Sequence, residues 1–112
     1  MKFILLTSLL TILFTLNTFS QKVFSVQYSH QADVKVFVVD HNHQADLSVY
    51  KVDYQHQAGK NDGNWLFTEY NHQADKTIYF VEYSHQADVK IYFVDYRHQA
   101  GWRNNEKKHF FY

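Results

Sequence analysis

The chain has no cysteine and no proline, and only three glycines among 112 residues. Lack of cysteine removes the disulfides that small secreted domains often use to make up for a thin core. Lack of proline leaves no strand interrupted from within. Three glycines are too few for calcium-binding β-repeats, whose ligands sit between Gly-rich turns. Neither sign of charge is in excess, with 11 Lys and Arg against 11 Asp and Glu. These charges are scattered singly, so nothing directs the chain to nucleic acid or anionic lipid. Serines 25, 29, 48 and 84 have no glycine elbow beside them, and with no cysteine nucleophile either, an enzyme is not expected. No cofactor is called for. What is plentiful is aromatic rings, 19% of the chain, and dense packing of large side chains is the substitute this composition favours.

The opening of the chain differs from the rest. Lys2 precedes an apolar run from Phe3 to Leu16, and Thr18-Phe19-Ser20 supplies small residues beyond it. Residues 1–20 therefore read as a secretory signal peptide. At about 14 residues the run falls short of the roughly 20 needed to cross a bilayer as a helix, and no cysteine follows to carry a lipid. The expectation is a secreted or periplasmic domain over residues 21–112, about 92 residues long. Loss of Lys2 leaves ten basic and eleven acidic groups, a formal charge of minus one, and no membrane span in the mature chain.

One tetrapeptide, His-Gln-Ala-Asp/Gly, occurs six times, with its histidine at His30, His43, His56, His72, His85 and His98. The spacings are 13, 13, 16, 13 and 13 residues, and the fourth position runs Asp33, Asp46, Gly59, then Asp75, Asp88, Gly101. A three-unit block has been duplicated at an offset of 42 residues, which predicts an approximately two-fold internal arrangement. Between the motifs lie stretches such as Val34-Lys35-Val36-Phe37-Val38-Val39 and Val89-Lys90-Ile91-Tyr92-Phe93-Val94. β-Branched and aromatic residues dominate them, without helical periodicity, so the fold class is all-β, one small domain of six strand-plus-corner units.

Alternation sorts each strand into two faces. One holds Val36, Val49, Ile78 and Ile91; the other holds Phe37, Tyr50, Tyr79 and Tyr92 with Val39, Val52, Val81 and Val94. Lys51 and Phe93 fall at equivalent positions on the first face, so the Val and Tyr face is expected to be the main core. An odd period would turn each successive unit over, yet all units carry one pattern. His-Gln-Ala-Asp must therefore bend or insert a residue, with Asp bonding its own nearby backbone and Ala where chain segments press close. Where Gly replaces Asp the strand pattern breaks, leaving two matching loops, Gly59 to Trp65 and Gly101 to Asn105.

Units of about 13 residues, in which a Gln-Ala-Asp corner follows a strand like Val89-Lys90-Ile91-Tyr92-Phe93-Val94-Asp95, resemble the septoil-knot domain family of small bacterial proteins. The resemblance covers residues 22–112. It implies a chain of short strands wound into a seven-crossing torus knot, a topology general rules would not propose. It implies no catalytic residue. Related chains often carry Tyr where this one has His.

Two candidate sites follow. The repeated His and Asp allow a metal-binding or metal-sequestering reading, since imidazole and carboxylate are ligands for zinc, copper or nickel. Against it, a residue every unit demands usually belongs to the joint, where a flat amphipathic ring can hydrogen-bond through its polar edge. Trp65 and Trp102, with Lys60, Asn61, Arg103 and Asn104, lie where the repeat breaks and suit a protein or carbohydrate partner. The carboxylates at the strand ends, Asp40, Asp53, Glu69, Glu82 and Asp95, read as charges that keep sheet edges from pairing. The leading expectation is a secreted structural or binding module without catalysis.

Overall fold

The computed structural model describes residues 21–112; residues 1–20, read as a signal peptide, lie outside the described residues. Six parallel strands follow one another: β1 (Lys22–Ser25), β2 (Val34–Val38), β3 (Leu47–Val52), β4 (Asn64–Phe67), β5 (Lys76–Phe80) and β6 (Val89–Phe93). A two-residue strand, β7 (Gly101–Trp102), and a 3₁₀ helix, Asn105–Phe111, complete the chain. The sheet order is β4-β1-β5-β2-β6-β3, and β3 also pairs with β4, so the six strands close into a barrel. The two halves of the duplication interleave, with β1 beside β4, β2 beside β5 and β3 beside β6. Each half alone fills every second place, and the other half fills the gaps.

Register makes the closure regular. Val34 stands opposite Ile78, and Val36 opposite Val89. Each strand is thus displaced by two residues from the last, always in the same sense. An even displacement keeps inward residues opposite inward residues, and the accumulated stagger is what lets so few strands close at a steep tilt.

Alternation now assigns the faces. Val23, Val36, Val49, Trp65, Ile78 and Ile91 form one inward ring, all 0% exposed, with Val34, Leu47 and Val89 below them. The expectation that the Val and Tyr face is the main core is therefore corrected. Phe37, Tyr50, Tyr79 and Tyr92 are only half-buried, because that face lies outside the barrel, under the corners, with Val39 and Val52 beneath them. Lys51 had argued against the inner face, but its position is at the barrel's mouth, where a charged end reaches water.

The corners are single 3₁₀ turns, Ser29–Gln31, Asn42–Gln44, Gln55–Gln57, Asn71–Gln73, Ser84–Gln86 and Arg97–Gln99. Each packs over the strand it must cross to reach its next place: the first over β5, the second over β6, the fourth over β1, the fifth over β2. Parallel strands ordinarily need a dozen or more connecting residues; residues 39–46 make the crossing from β2 to β3. Gln closes the turn, as where Gln57 Oε1 accepts from Tyr54 N–H at 3.1 Å. Side chains leave β2 facing outward at Val39 and enter β3 facing inward at Leu47, so the corner supplies the expected change of face.

The corner Asp bonds not its own backbone, as expected, but the strand being crossed. Asp88 N–H donates to Lys35 O at 2.8 Å while its carboxylate accepts from Lys35 N–H at 2.9 Å. Asp46 holds Lys90 at 2.8 and 2.9 Å, Asp33 holds Thr77 at 3.0 and 3.0 Å, and Asp75 holds Lys22 at 2.8 and 3.2 Å. A turn-sized side chain at an extended residue reaches the neighbouring ladder more readily than its own.

The third corner explains the 16-residue spacing. It crosses β4's place, and the next place, β1's, is already filled. The chain drops back through Lys60, Asn61 and Asp62 into β4 itself, using left-handed backbone at Asn61 (φ 64) and Gly63 (φ 88). Gly59 N–H still donates to Asn64 O at 3.0 Å, but the carboxylate comes from Asp62, which accepts from Asn64 N–H at 3.1 Å. A Cβ on Gly59 would fall on that carboxylate, so glycine here makes room for a transplanted Asp. After the sixth corner no place is left, and β7 runs antiparallel on the free part of β3. The two loops therefore match in placement and differ in fold.

Gly59→Ala should lower stability by about 1–3 kcal/mol through steric conflict and loss of the Asp62 bond. Gly59→Asp with Asp62→Gly should recover most of that loss by restoring the ordinary corner, a non-additivity measurable by urea unfolding. A double variant no more stable than Gly59→Ala would show that Asp62 does not fill the Asp's role.

Candidate functional site

The six motif histidines are all exposed, each the middle residue of its turn. Each lies on the ring two residues before it. Tyr28–His30, Tyr54–His56, Tyr83–His85 and Tyr96–His98 have centroids 5.9 Å apart, Tyr70–His72 and His41–His43 5.7 Å, all within 20° of parallel. An extended residue followed by a 3₁₀ turn puts these side chains on one side of the corner, and offset stacking suits them. The structure distributes one such pair to each corner and does not converge the six imidazoles. Among the described residues no three His or carboxylate groups are close enough to hold a metal ion.

The loop residues part company. Trp65 is 0% exposed in the inward ring, 5.0 Å from Phe111 between centroids, and its Nε1 has no partner. Trp102 is half-buried and donates Nε1–H to Asn61 O at 3.0 Å; Asn61 in turn donates to Lys108 O at 3.0 Å. Asn104 caps the C-terminal 3₁₀ helix, accepting from Glu106 N–H at 3.2 Å, and donates to Asp46 at 3.3 Å. These contacts tie the loop to the tail. Of the six residues only Lys60 and Arg103 stand exposed.

A third site sits at the barrel's C-terminal mouth, formed by the last inward residue of each strand: Phe67, Ser25, Phe80, Val38, Phe93 and Lys51 in ring order. The three Phe are half-buried against the core, and Val38 is 40% exposed. Lys51 Nζ stands 4.5 Å from the Phe93 centroid and 5.2 Å from that of Phe67, an attraction worth about 0.5–1 kcal/mol at such exposure. Two residues beyond this ring come Asp40, Asp53, Glu69, Glu82 and Asp95, all exposed. Because the barrel closes, these carboxylates guard no open edge, contrary to the expectation from sequence.

The model of the 7(1) septoil knot domain family matches residues 20–103. The chain belongs to that family. No curated protein and no solved structure matches it. The family match ends before the 3₁₀ helix Asn105–Phe111, so the plug that Phe111 sets against Trp65 lies outside the matched septoil knot residues. Among the described residues no helix is long and apolar enough to cross a membrane.

In the sequence of this septoil knot domain the mouth residues are scattered over six strands and form no local motif. The signal was present in the equivalence of Val38, Lys51, Phe80 and Phe93, but that row gathers at one end only if all strands run parallel.

Trp65→Ala should cost about 3–5 kcal/mol, as large core truncations do, whereas Arg103→Ala should stay within about 0.5 kcal/mol of the parent. Thermal unfolding of both variants checks the division; equal losses would contradict the placement of Trp65.

Proposed function

We propose that this septoil knot domain is a rigid, non-catalytic binding module working outside the cytoplasm, and that it docks a partner at the barrel's C-terminal mouth. The observation that carries this is the aromatic mouth followed by five exposed carboxylates. Half-exposed Phe rings offer apolar area, and the acidic surround favours a basic, apolar segment of another protein over an acidic one. The signal-like residues 1–20 support export. The winding, in which the second half passes through every gap left by the first, supports the knotted topology that the family name implies. Lys60 and Arg103 remain a smaller polar surface at the opposite, tail-plugged side, where a carbohydrate or protein contact is the alternative reading.

A fluorescent Lys- and Leu-rich peptide should bind the domain with micromolar affinity, and a Glu- and Leu-rich peptide should not. Phe80→Ala should weaken binding about tenfold at unchanged fold by circular dichroism, and raised salt should weaken it further. Binding indifferent to Phe80 and to peptide charge would remove the mouth as the docking site.

A further inference from the structure

The second corner departs from the other five. Where they place Tyr28, Tyr54, Tyr70, Tyr83 and Tyr96, it places His41, so that His41 and His43 form a pair of exposed imidazoles with centroids 5.7 Å apart and planes 12° from parallel. The same corner is also the most firmly held. Asn42 accepts a hydrogen bond from Ser48, a serine only 2% exposed. The Asp46 carbonyl accepts from Arg103 and Asn104 N–H at 2.8 and 3.0 Å, and the Asp46 carboxylate fastens to Lys90 and to the Asn104 amide.

We propose that His41 and His43 form a two-imidazole chelate for a borderline divalent cation, copper(II) foremost. The two rings project from one side of a braced turn, and both are free in solvent to rotate from stacking into shared coordination. Metal–nitrogen bonds of about 2.0 Å require the ligating edges to approach within roughly 3 Å, a side-chain motion and not a backbone one. Imidazole prefers copper(II) over zinc and nickel by the general stability order of first-row ions. No third protein donor is gathered with the pair among the described residues, so water completes the coordination and the site is one of moderate affinity and open geometry. The lone His of the other corners lacks a second imidazole and with it the chelate advantage. The pair takes no ligand from the barrel mouth, although His41 follows the rim's Asp40, and the chelate stands whether or not the mouth docks a partner.

The test is copper(II) titration of the domain, followed by calorimetry with glycine as competing chelator and, in separate glycine-free samples, by the nitrogen hyperfine pattern in electron paramagnetic resonance. One equivalent should bind ahead of the rest with a two-nitrogen signature. His41→Tyr, which writes the other corners' own residue into this one and so keeps the stack, should weaken that equivalent at least tenfold. Tyr83→His should create a second such equivalent. Identical uptake by the parent and His41→Tyr would overturn the proposal, as would a Tyr83→His variant that gains nothing; His43→Gln gives an independent check should either variant misfold.

Discussion

Everything in this fold hangs on a pair of hydrogen bonds made six times in slightly different ways, by which each corner fastens to the strand it crosses. A crossing of eight residues or so has no room to form secondary structure of its own beyond one turn. It would leave an N–H and a C=O of the crossed strand, at the end of its ladder, without a partner in the protein, where each hydrogen bond is worth about 0.5–1.5 kcal/mol net. The corner Asp answers both at once, its N–H to the carbonyl and its carboxylate to the N–H, as at Asp88 and Lys35. Where geometry forbids the usual Asp, at Gly59, the chain brings in Asp62 to make the same bond. At the last corner Gly101 pairs with Ser48 through backbone alone.

From that fastening the two apolar layers follow. An inner layer of aliphatic side chains with one Trp fills the barrel. An outer layer of half-buried aromatics lies between the strands and the crossings. A domain of this size can bury only a modest share of its surface, and two thin layers around one sheet use aromatic area more fully than one sheet face would. The abundance of rings and the absence of cysteine are therefore two sides of one solution.

Much of this was legible beforehand. The repeats, the strands between them, the all-β class and the need for a change of face at the corner came from alternation and an odd period, which are local properties. The inner and outer faces were exchanged, because a Lys at one inward position looked like proof of exposure, and only barrel closure reveals that Lys51 stands at an open end. Where the motif and loop residues end up was not legible: Trp65 fills the inward ring while Arg103 stands exposed, and the six motif His lie one to a corner, since neither burial nor convergence is encoded at any one position. His41 was visible as an odd letter in the second corner, yet its partnership with His43 depends on the backbone change from extended to turn, which puts residues two apart on one side.

The interleaving of halves has a consequence for how the molecule comes into being. Each of the six ladders that close the barrel joins a strand of the first half to a strand of the second. Residues 21–62 on their own thus possess three strands and no neighbour for any of them. Contacts so distant along the chain make for slow folding. A nascent chain would remain extended until its second half arrived, with nothing stable for its end to be trapped behind, and ordering would then come all at once.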